Sequence, residues 1–496
     1  MSTVTAPDAT APDRPEHPTA GPGDPRVASR AQWWALAAIG AAALVFRVGY
    51  VLVARRNFAL QGDDFMYHWG ANALADGRGF LDPLSWKALG RIRPSAAHPP
   101  LYTSYLAVVS WFGGTSALAH RLASTVLGAG GVVLVGMAAR RIAGPRAMLL
   151  AAGLAAVYPM LWINDGMLIS ESLYVPLVAA TILFTYRLWD TRAWRDAVIL
   201  GGIIGLGALT RPEAVLLVPL LGVPFLFARS GGAFTRRLLT VVLIGATCFV
   251  VILPWWVRNL TTFREPVFLA TGHGTVLESA NCPETYAGEY LGYWNINCVV
   301  RGREPANAKQ RAMKESKDFP GIAYILYQLP RDESVEDVRA RKLAFDYIEE
   351  HPKRATLAAA ARVGRVLGVF RVQQQMDFDV FFERRGRWPT RVGTVMWYAF
   401  VGLSVVALIA MRRRGRPISP PIAIFVGVVF TTAIAIGITR YRIALDVTVT
   451  ALAGVGIDAI WRAISARRTT SSAGEITPDV VLSTRGGQPD PAGDPG

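Results

Sequence analysis

Two adjacent carboxylates, Asp63 and Asp64, stand in the stretch GDDFMYHWGANALADG, directly after the first long apolar run of a 496-residue chain. Gly62 ahead of them permits a tight turn. The aromatic and small residues behind them recur at helical spacing, as in a short helix lying along a membrane surface. A carboxylate held against such a surface loses part of its hydration, which raises its basicity and suits it to take a proton from a hydroxyl. Consecutive side chains on a helix diverge by about 100°, so the two acids do not share one task. Asp63 is assigned the role of base and Asp64 that of orienting group; the plainer reading is a solvated loop end.

Glu171, in LISESLYVPL, opens a later apolar run. It reads either as an acid favoured by a helix N-terminus, with Ser170 as cap, or as a second carboxylate that orients the acceptor or binds sugar hydroxyls. The cations worth weighing are Arg211 in LTRPEAV, Arg258 in PWWVRN, and Arg440 and Arg442 in GITRYRIAL. A guanidinium at headgroup depth grips a phosphate through paired N–H donors, although each of these could equally snorkel toward lipid headgroups. Lys87, Arg91, Arg93 and His98 in the loop after the first run either extend such a clamp or are ordinary loop charges.

The elements that must position these groups are membrane helices. The chain is 52% hydrophobic and 18% charged, too apolar for an ordinary soluble protein of this length. Runs of membrane-crossing length recur at about 32–54, 116–139, 146–163, 172–188, 196–210, 213–228, 237–256, 392–411, 418–438 and 443–463. Backbone groups cannot stay unpaired in lipid and period-2 alternation is absent, so the expected fold is an all-α polytopic bundle of about ten transmembrane helices. Interfacial helices are expected in the first outer loop, 55–115, with a small extracytoplasmic region elsewhere. No ionisable residue is clearly centred in a span as a proton relay would require.

The net charge of +16 does not mark a nucleic-acid partner. The arginines lie in short loops: Arg140, Arg141 and Arg146; Arg187, Arg192 and Arg195; Arg229, Arg236 and Arg237; Arg412 to Arg414 with Arg416; Arg467 and Arg468. With a cytoplasmic N-terminus and one crossing per run, all five groups fall inside. Counting His98–Gly114 as a further crossing would break that agreement, so it reads as an interfacial or re-entrant helix. The same parity puts the acids, the lone arginines and the hydrophilic stretch 257–391 on the outer face of the plasma membrane. The resulting division is a disordered cytoplasmic N-terminus (1–31), an N-terminal transmembrane module (32–256), an extracytoplasmic region (257–391), C-terminal transmembrane helices (392–463) and a disordered cytoplasmic tail (464–496). Within 257–391, RATLAAAARVGRVLGVF reads as an amphipathic helix and DFDVFFERRGRWPTR as a loop. Cys282 and Cys298, both in this outer region, form a candidate disulfide; two buried thiols are the alternative.

The strings GDDFMYHWGANALADGRGF, HPPLYTSYLAVVSWFGG, AARRIAGPRAMLLAAGLAAVYP, ISESLYVPL, LTRPEAVLLVPL, PWWVRNLTTFREPVFL and TRYRIAL, in this order over about residues 32–460, resemble the GT-C fold membrane glycosyltransferases. The similarity is to bacterial members related to the dolichyl-phosphate-mannose protein mannosyltransferases of glycosyltransferase family 39. The resemblance implies a polyprenyl-phosphate sugar donor, inversion at the anomeric carbon, a catalytic acid at Asp63 or Asp64, and phosphate-holding cations at Arg211, Arg258 and Arg440. It also places His98 at a polar position of the HPP element. The large soluble repeats of the eukaryotic protein mannosyltransferases are missing, which leaves the acceptor unassigned.

A lipid phosphate is already a good leaving group, so the remaining tasks are to deprotonate an acceptor hydroxyl and to stabilise the departing anion. No cofactor is required for that, and a divalent ion on Asp63 and Asp64 is compatible with it. The rival functions are a lipid-linked glycan transporter, which predicts broken helices at the midplane and two matching halves, an oligosaccharide ligase with a pyrophosphate donor, and a scaffold.

Overall fold

The computed structural model describes residues 28–228, 232–301, 312 and 332–474, and all of its regular elements are helical apart from an isolated bridge between Leu81 and Pro94. Residues 1–27 and 475–496, and Arg229 of the third basic group, lie outside the described residues.

The chain enters at α1 (Arg30–Tyr50), whose start is fixed by a reciprocal cap between Ser29 and Gln32. Short helices α2 (Asp63–Ala75), α3 (Pro83–Leu89) and α4 (Pro100–Trp111) follow. The bundle continues through α5 (Ala117–Ala143), α6 (Pro145–Val157), α7 (Glu171–Thr191), α8 (Trp194–Ala208), α9 (Leu217–Leu226) and α10 (Phe234–Thr262). Beyond it come α11 (His273–Ala280), α12 (Glu333–Glu350), α13 (Pro352–Leu367) and α14 (Val372–Phe381). The chain then re-enters the bundle through α15 (Arg387–Arg413), α16 (Ser419–Ile434) and α17 (Ile443–Gly474).

Every apolar run expected to cross is a helix, but they differ in reach. Six are long and apolar enough to span by themselves, and Pro145–Met167 would be a seventh, bent by 65° at its break. α8, α9 and α16 have 15, 10 and 16 residues, short of the roughly 20 that a hydrocarbon core needs. Pairing at the two ends preserves the alternation nonetheless. At one end Arg141 and Arg416 both meet Asp190, at 2.8 and 2.6 Å, Arg462 donates to the Ala143 carbonyl, and Arg140 lies over Trp33. At the other end the turns before α2, α7 and α17 converge. α4 starts and finishes at this second end, its Leu101 amide bonded to the Leu209 carbonyl and its Trp111 and Phe112 exposed. It does not cross.

Helices approach closely where small residues allow it. A Cβ at Gly201 of α8 would collide with the Ile244 carbonyl of α10, and one at Gly205 would come within 2.9 Å of the Cys248 carbonyl, so these two glycines, one turn apart, fix the α8–α10 contact.

Three expectations are corrected. Charges do lie inside the bundle: Arg47 of α1 and Asp165 form a 2.8 Å pair with both side chains 1% exposed, and Arg442 pairs with Asp446, both nearly buried. Packing between helices lets such groups neutralise one another out of lipid, which an apolar window does not reveal. Second, most of DFDVFFERRGRWPTR is helical, in α14 and the start of α15, leaving only residues 382–386 as the connection. Third, α17 runs through Gly474, past the boundary expected at 463. The amphipathic segment is helical as expected: α13 buries Ala358, Ala361, Arg362 and Arg365 on one face.

Candidate active site

Gly62, at φ +68°, turns the chain into α2, and the first two helical residues then point apart. The Asp63 carboxylate reaches His98 Nε2 at 3.4 Å and Arg440 Nη1 at 2.8 Å, with 36% of its side chain still exposed. Asp64 turns inward, accepts the Gln61 backbone N–H and lies 3.9 Å from Arg384. Asp63 therefore faces the open side, while Asp64 ties down the turn.

Arg440 comes from the TRYR turn before α17, and Glu171 from the first residue of α7. Glu171 is fully buried and accepts from Arg440 Nε at 2.8 Å and from Arg211 Nη1 at 2.6 Å. Arg211 also donates to Glu213 at 2.6 Å, and Arg440 Nη1 lies 3.6 Å from Glu383. Four carboxylates, Asp63, Glu171, Glu213 and Glu383, thus share two guanidinium groups. Tyr67 packs edge-on against Tyr102 and at a tilt of 57° against His98, with ring centres 4.7 Å apart, beside Asp63.

The electrostatics separate the two aspartates. Burial pushes the Asp63 carboxyl up, but Arg440 and the His98 hydrogen bond outweigh it and hold the group well below the usual carboxylate range. Burial dominates at Asp64, whose carboxyl is raised despite the Gln61 amide and Arg384. The expectation of raised basicity holds for Asp64 and reverses for Asp63, because the guanidinium beside Asp63 outweighs its lost hydration. Burial also raises Glu383, against Arg440 and Arg385.

Of the four arginines weighed as phosphate-binding, Arg211 and Arg440 are brought to these acids, and Arg258 and Arg442 are not. Arg258 donates to the carbonyls of Phe80 and Ser95, at 3.0 and 3.1 Å, and its guanidinium lies 4.8 Å from the Trp255 ring centre. It braces the first loop against α10. Arg442 pairs with Asp446, donates to the Val366 carbonyl and lies over Trp397, so it fastens α13 to α17 instead of facing a ligand. Lys87 sits between Trp69 and Trp86, and Arg93 between Asp82 and Glu333. Cys282 and Cys298 are joined in a disulfide.

Glu383 and Arg384 were missed by sequence reasoning. The signal was an acid beside three arginines in FERRGR, immediately before a membrane helix, where basic residues alone would suffice as an anchor. As for a metal, Asp63, Glu171 and Glu383 spread around the Arg440 guanidinium instead of converging on a common point. Among the described residues the one group of three potential ligands that does converge is Cys282, Glu284 and Cys298, whose sulfurs are spent on the disulfide.

With this geometry in place, the likeness to known proteins has a definite location. Residues 97–257, from the HPP element into α10, match the family model of the dolichyl-phosphate-mannose-protein mannosyltransferases. No curated protein matches the chain. Among solved structures, the archaeal oligosaccharyltransferase AglB from Archaeoglobus fulgidus, in complex with an inhibitory peptide and a dolichol-phosphate, superposes with a TM-score of 0.53 at 12% identity, over 91% of this chain and 53% of that one. The Archaeoglobus fulgidus oligosaccharyltransferase in complex with Zn and sulfate gives 0.50 at 12% identity, over 88% and 50%. ArnT from Cupriavidus metallidurans, bound to undecaprenyl phosphate, gives 0.41 at 16%, over 92% and 82%. The chain spans about half the length of the oligosaccharyltransferases it resembles. The fold is that of the GT-C membrane glycosyltransferases. Within that fold, residues 97–257 are the part that is similar to the dolichyl-phosphate-mannose-protein mannosyltransferases.

Proposed function

We propose that this protein is an inverting glycosyltransferase that moves a sugar from a polyprenyl-phosphate donor to an acceptor hydroxyl of a cell-envelope glycan, lipid or protein. The site is assigned to the outer face of the plasma membrane, on the distribution of basic loops. The observation that carries the reading is the direct contact of Asp63 with Arg440, which sets a base and a phosphate-binding cation side by side at an open face of the bundle.

Asp63 takes the acceptor's proton, and the acceptor oxygen attacks the anomeric carbon from the face opposite the phosphate. The bond from that carbon to the phosphate oxygen breaks, and its electron pair leaves with the lipid phosphate. Arg440, backed by Arg211, stabilises the departing anion through preformed N–H donors. His98 orients Asp63, and Glu171 orients the two arginines. The dolichol-phosphate held by the archaeal oligosaccharyltransferase supports a lipid phosphate as the donor class.

The test is to incubate purified wild type, Asp63→Asn and Asp64→Asn with polyprenyl-phosphate sugars and follow release of the free lipid phosphate. Asp63→Asn is expected to lose at least about a hundredfold in turnover, within the range of removing a general base. Unchanged turnover in Asp63→Asn would remove the base assignment, and release only from pyrophosphate-linked donors would favour a ligase.

A further inference from the structure

Resting on the donor reading above, the way Arg440 is shared leads to a finer statement about that site. A guanidinium has five N–H donors. On Arg440, Nε bonds to Glu171 at 2.8 Å and Nη2 approaches the second oxygen of the same carboxylate at 3.4 Å. Nη1 serves Asp63 at 2.8 Å and Glu383 at 3.6 Å. Four of the five donors are thus engaged, and both on Nη1 face carboxylates, so a phosphate that binds through Nη1 must displace one of them.

The three competitors are not equally held. Glu171 is fully buried and also tied to Arg211, so moving it would break two charged hydrogen bonds at once. The Glu383 side chain is 9% exposed. Asp63 alone is substantially open, at 36%, and has a second partner in His98 to retain it once Arg440 lets go.

We propose that the donor phosphate exchanges with Asp63 on Nη1 of Arg440, so that seating the lipid-linked sugar releases the carboxylate that then serves as base. Before exchange the carboxylate is clamped by a cation and is a poor proton acceptor. After exchange it loses the guanidinium and gains a neighbouring anion, both of which raise its basicity. Base strength then appears only when a donor is present, which protects the empty site from idle proton transfer.

The experiment measures equilibrium binding of a polyprenyl phosphate, with the corresponding polyprenol as the probe lacking phosphate, to detergent-solubilised full-length wild type, Asp63→Asn and Asp64→Asn. Thermal unfolding of each variant reports its folding. The exchange predicts that Asp63→Asn binds the phosphate about tenfold more tightly than wild type, because the competing charge is gone. Asp64→Asn, which removes the same charge one residue away but off Arg440, stays within about twofold, and the polyprenol distinguishes none of them. Equal or weaker phosphate binding by Asp63→Asn overturns the exchange while leaving the donor reading in place. The same tightening in Asp64→Asn, or with the polyprenol, also overturns it, since the cause would be diffuse charge or the lipid tail. If neither wild type nor variants bind the phosphate, the donor reading falls and the exchange with it.

Discussion

Glu171 and Arg440 lie 269 positions apart in the chain, yet the carboxylate of one accepts from Nε of the other at 2.8 Å, with the acid fully buried. That bond joins the first residue of α7 to the turn that launches the last helix, so the N-terminal and C-terminal parts of the bundle meet at a charge. Arg211 completes a three-residue network on the same oxygen. A buried acid bridging two cations is a poor source of net stability but a strong determinant of geometry, because the acid itself would be left uncompensated if both were withdrawn.

Truncating Arg440 should therefore harm both stability and chemistry, by separable routes. Arg440→Gln is expected to lower unfolding stability by about 3 to 5 kcal/mol, the usual range for breaking a buried pair. Arg440→Gln combined with Glu171→Gln is expected to recover much of that loss without recovering turnover. Denaturant unfolding in detergent and lipid-phosphate release, run on the single and double variants, check the two halves; coincident recovery of both would show that Arg440 has no role beyond folding.

A second prediction comes from a closed ring of side chains beside the site. Asn72 Nδ2 lies 3.4 Å from His68 Nε2, His68 Nδ1 lies 3.1 Å from His120 Nδ1, His120 Nε2 lies 2.8 Å from the Ser110 hydroxyl, and that hydroxyl donates to Asn72 Oδ1 at 2.7 Å. With both imidazoles neutral every donor has an acceptor. Burial, followed by Arg121 and Lys87, lowers the His68 pKa to about 4 from an ordinary value of 6.5. The unfolded chain thus takes up the proton first as the solution is acidified. The stability tied to His68 is complete above about pH 6.5 and is lost as pH falls toward about 4. His68→Gln should flatten the dependence of the unfolding midpoint across that window, and an unchanged slope would mean the ring is not sensed.

The ten apolar runs were legible as helices because lipid demands long apolar stretches, and the basic loops carrying Arg140, Arg141 and Arg416 were legible as sharing one end of the bundle. Asp63, Glu171, Arg211 and Arg440 were legible as charges at helix ends where the topology gives them no other task. What stayed hidden depends on which side chain meets which. Arg258 and Arg442 carry the same local signature as Arg440, yet one is used on backbone carbonyls and the other on Asp446. For Arg442 the acid one turn on, Asp446, marks that difference; for Arg258 nothing within a few residues does. Glu383 was hidden for the same reason, since its partner lies on a turn that follows two further helices.

The disulfide gives a third prediction. Cys282 and Cys298 are 16 positions apart, and a closed loop of about 15 residues is worth about 3 kcal/mol in the chain-entropy view. Cys282→Ser with Cys298→Ser should lower the thermal midpoint while leaving binding of a polyprenyl phosphate close to wild type, since neither sulfur touches Arg440 or Asp63. A loss of lipid-phosphate binding larger than the loss of folded protein would instead tie this loop to the donor site.

The fourth prediction concerns a residue that acts on the site from a distance. Glu333, at the start of α12, accepts the Ala96 backbone N–H, the Thr271 hydroxyl at 2.8 Å and the Ser95 hydroxyl at 3.1 Å. It thereby fixes the strand of chain that presents His98 to Asp63. Burial raises its carboxyl against those hydrogen bonds, so the charged form depends on all of them. Glu333→Ala removes the anchor without touching any group assigned to the reaction, and its effect should pass through His98. Turnover is expected to fall about tenfold in Glu333→Ala and similarly in His98→Ala, with the double variant little worse than either alone, because two residues on one path are not additive. Glu333→Gln, which keeps the shape and one acceptor oxygen, should restore part of the rate. Full additivity in the cycle, measured as turnover at saturating donor, would show that Glu333 supports the fold but does not position His98.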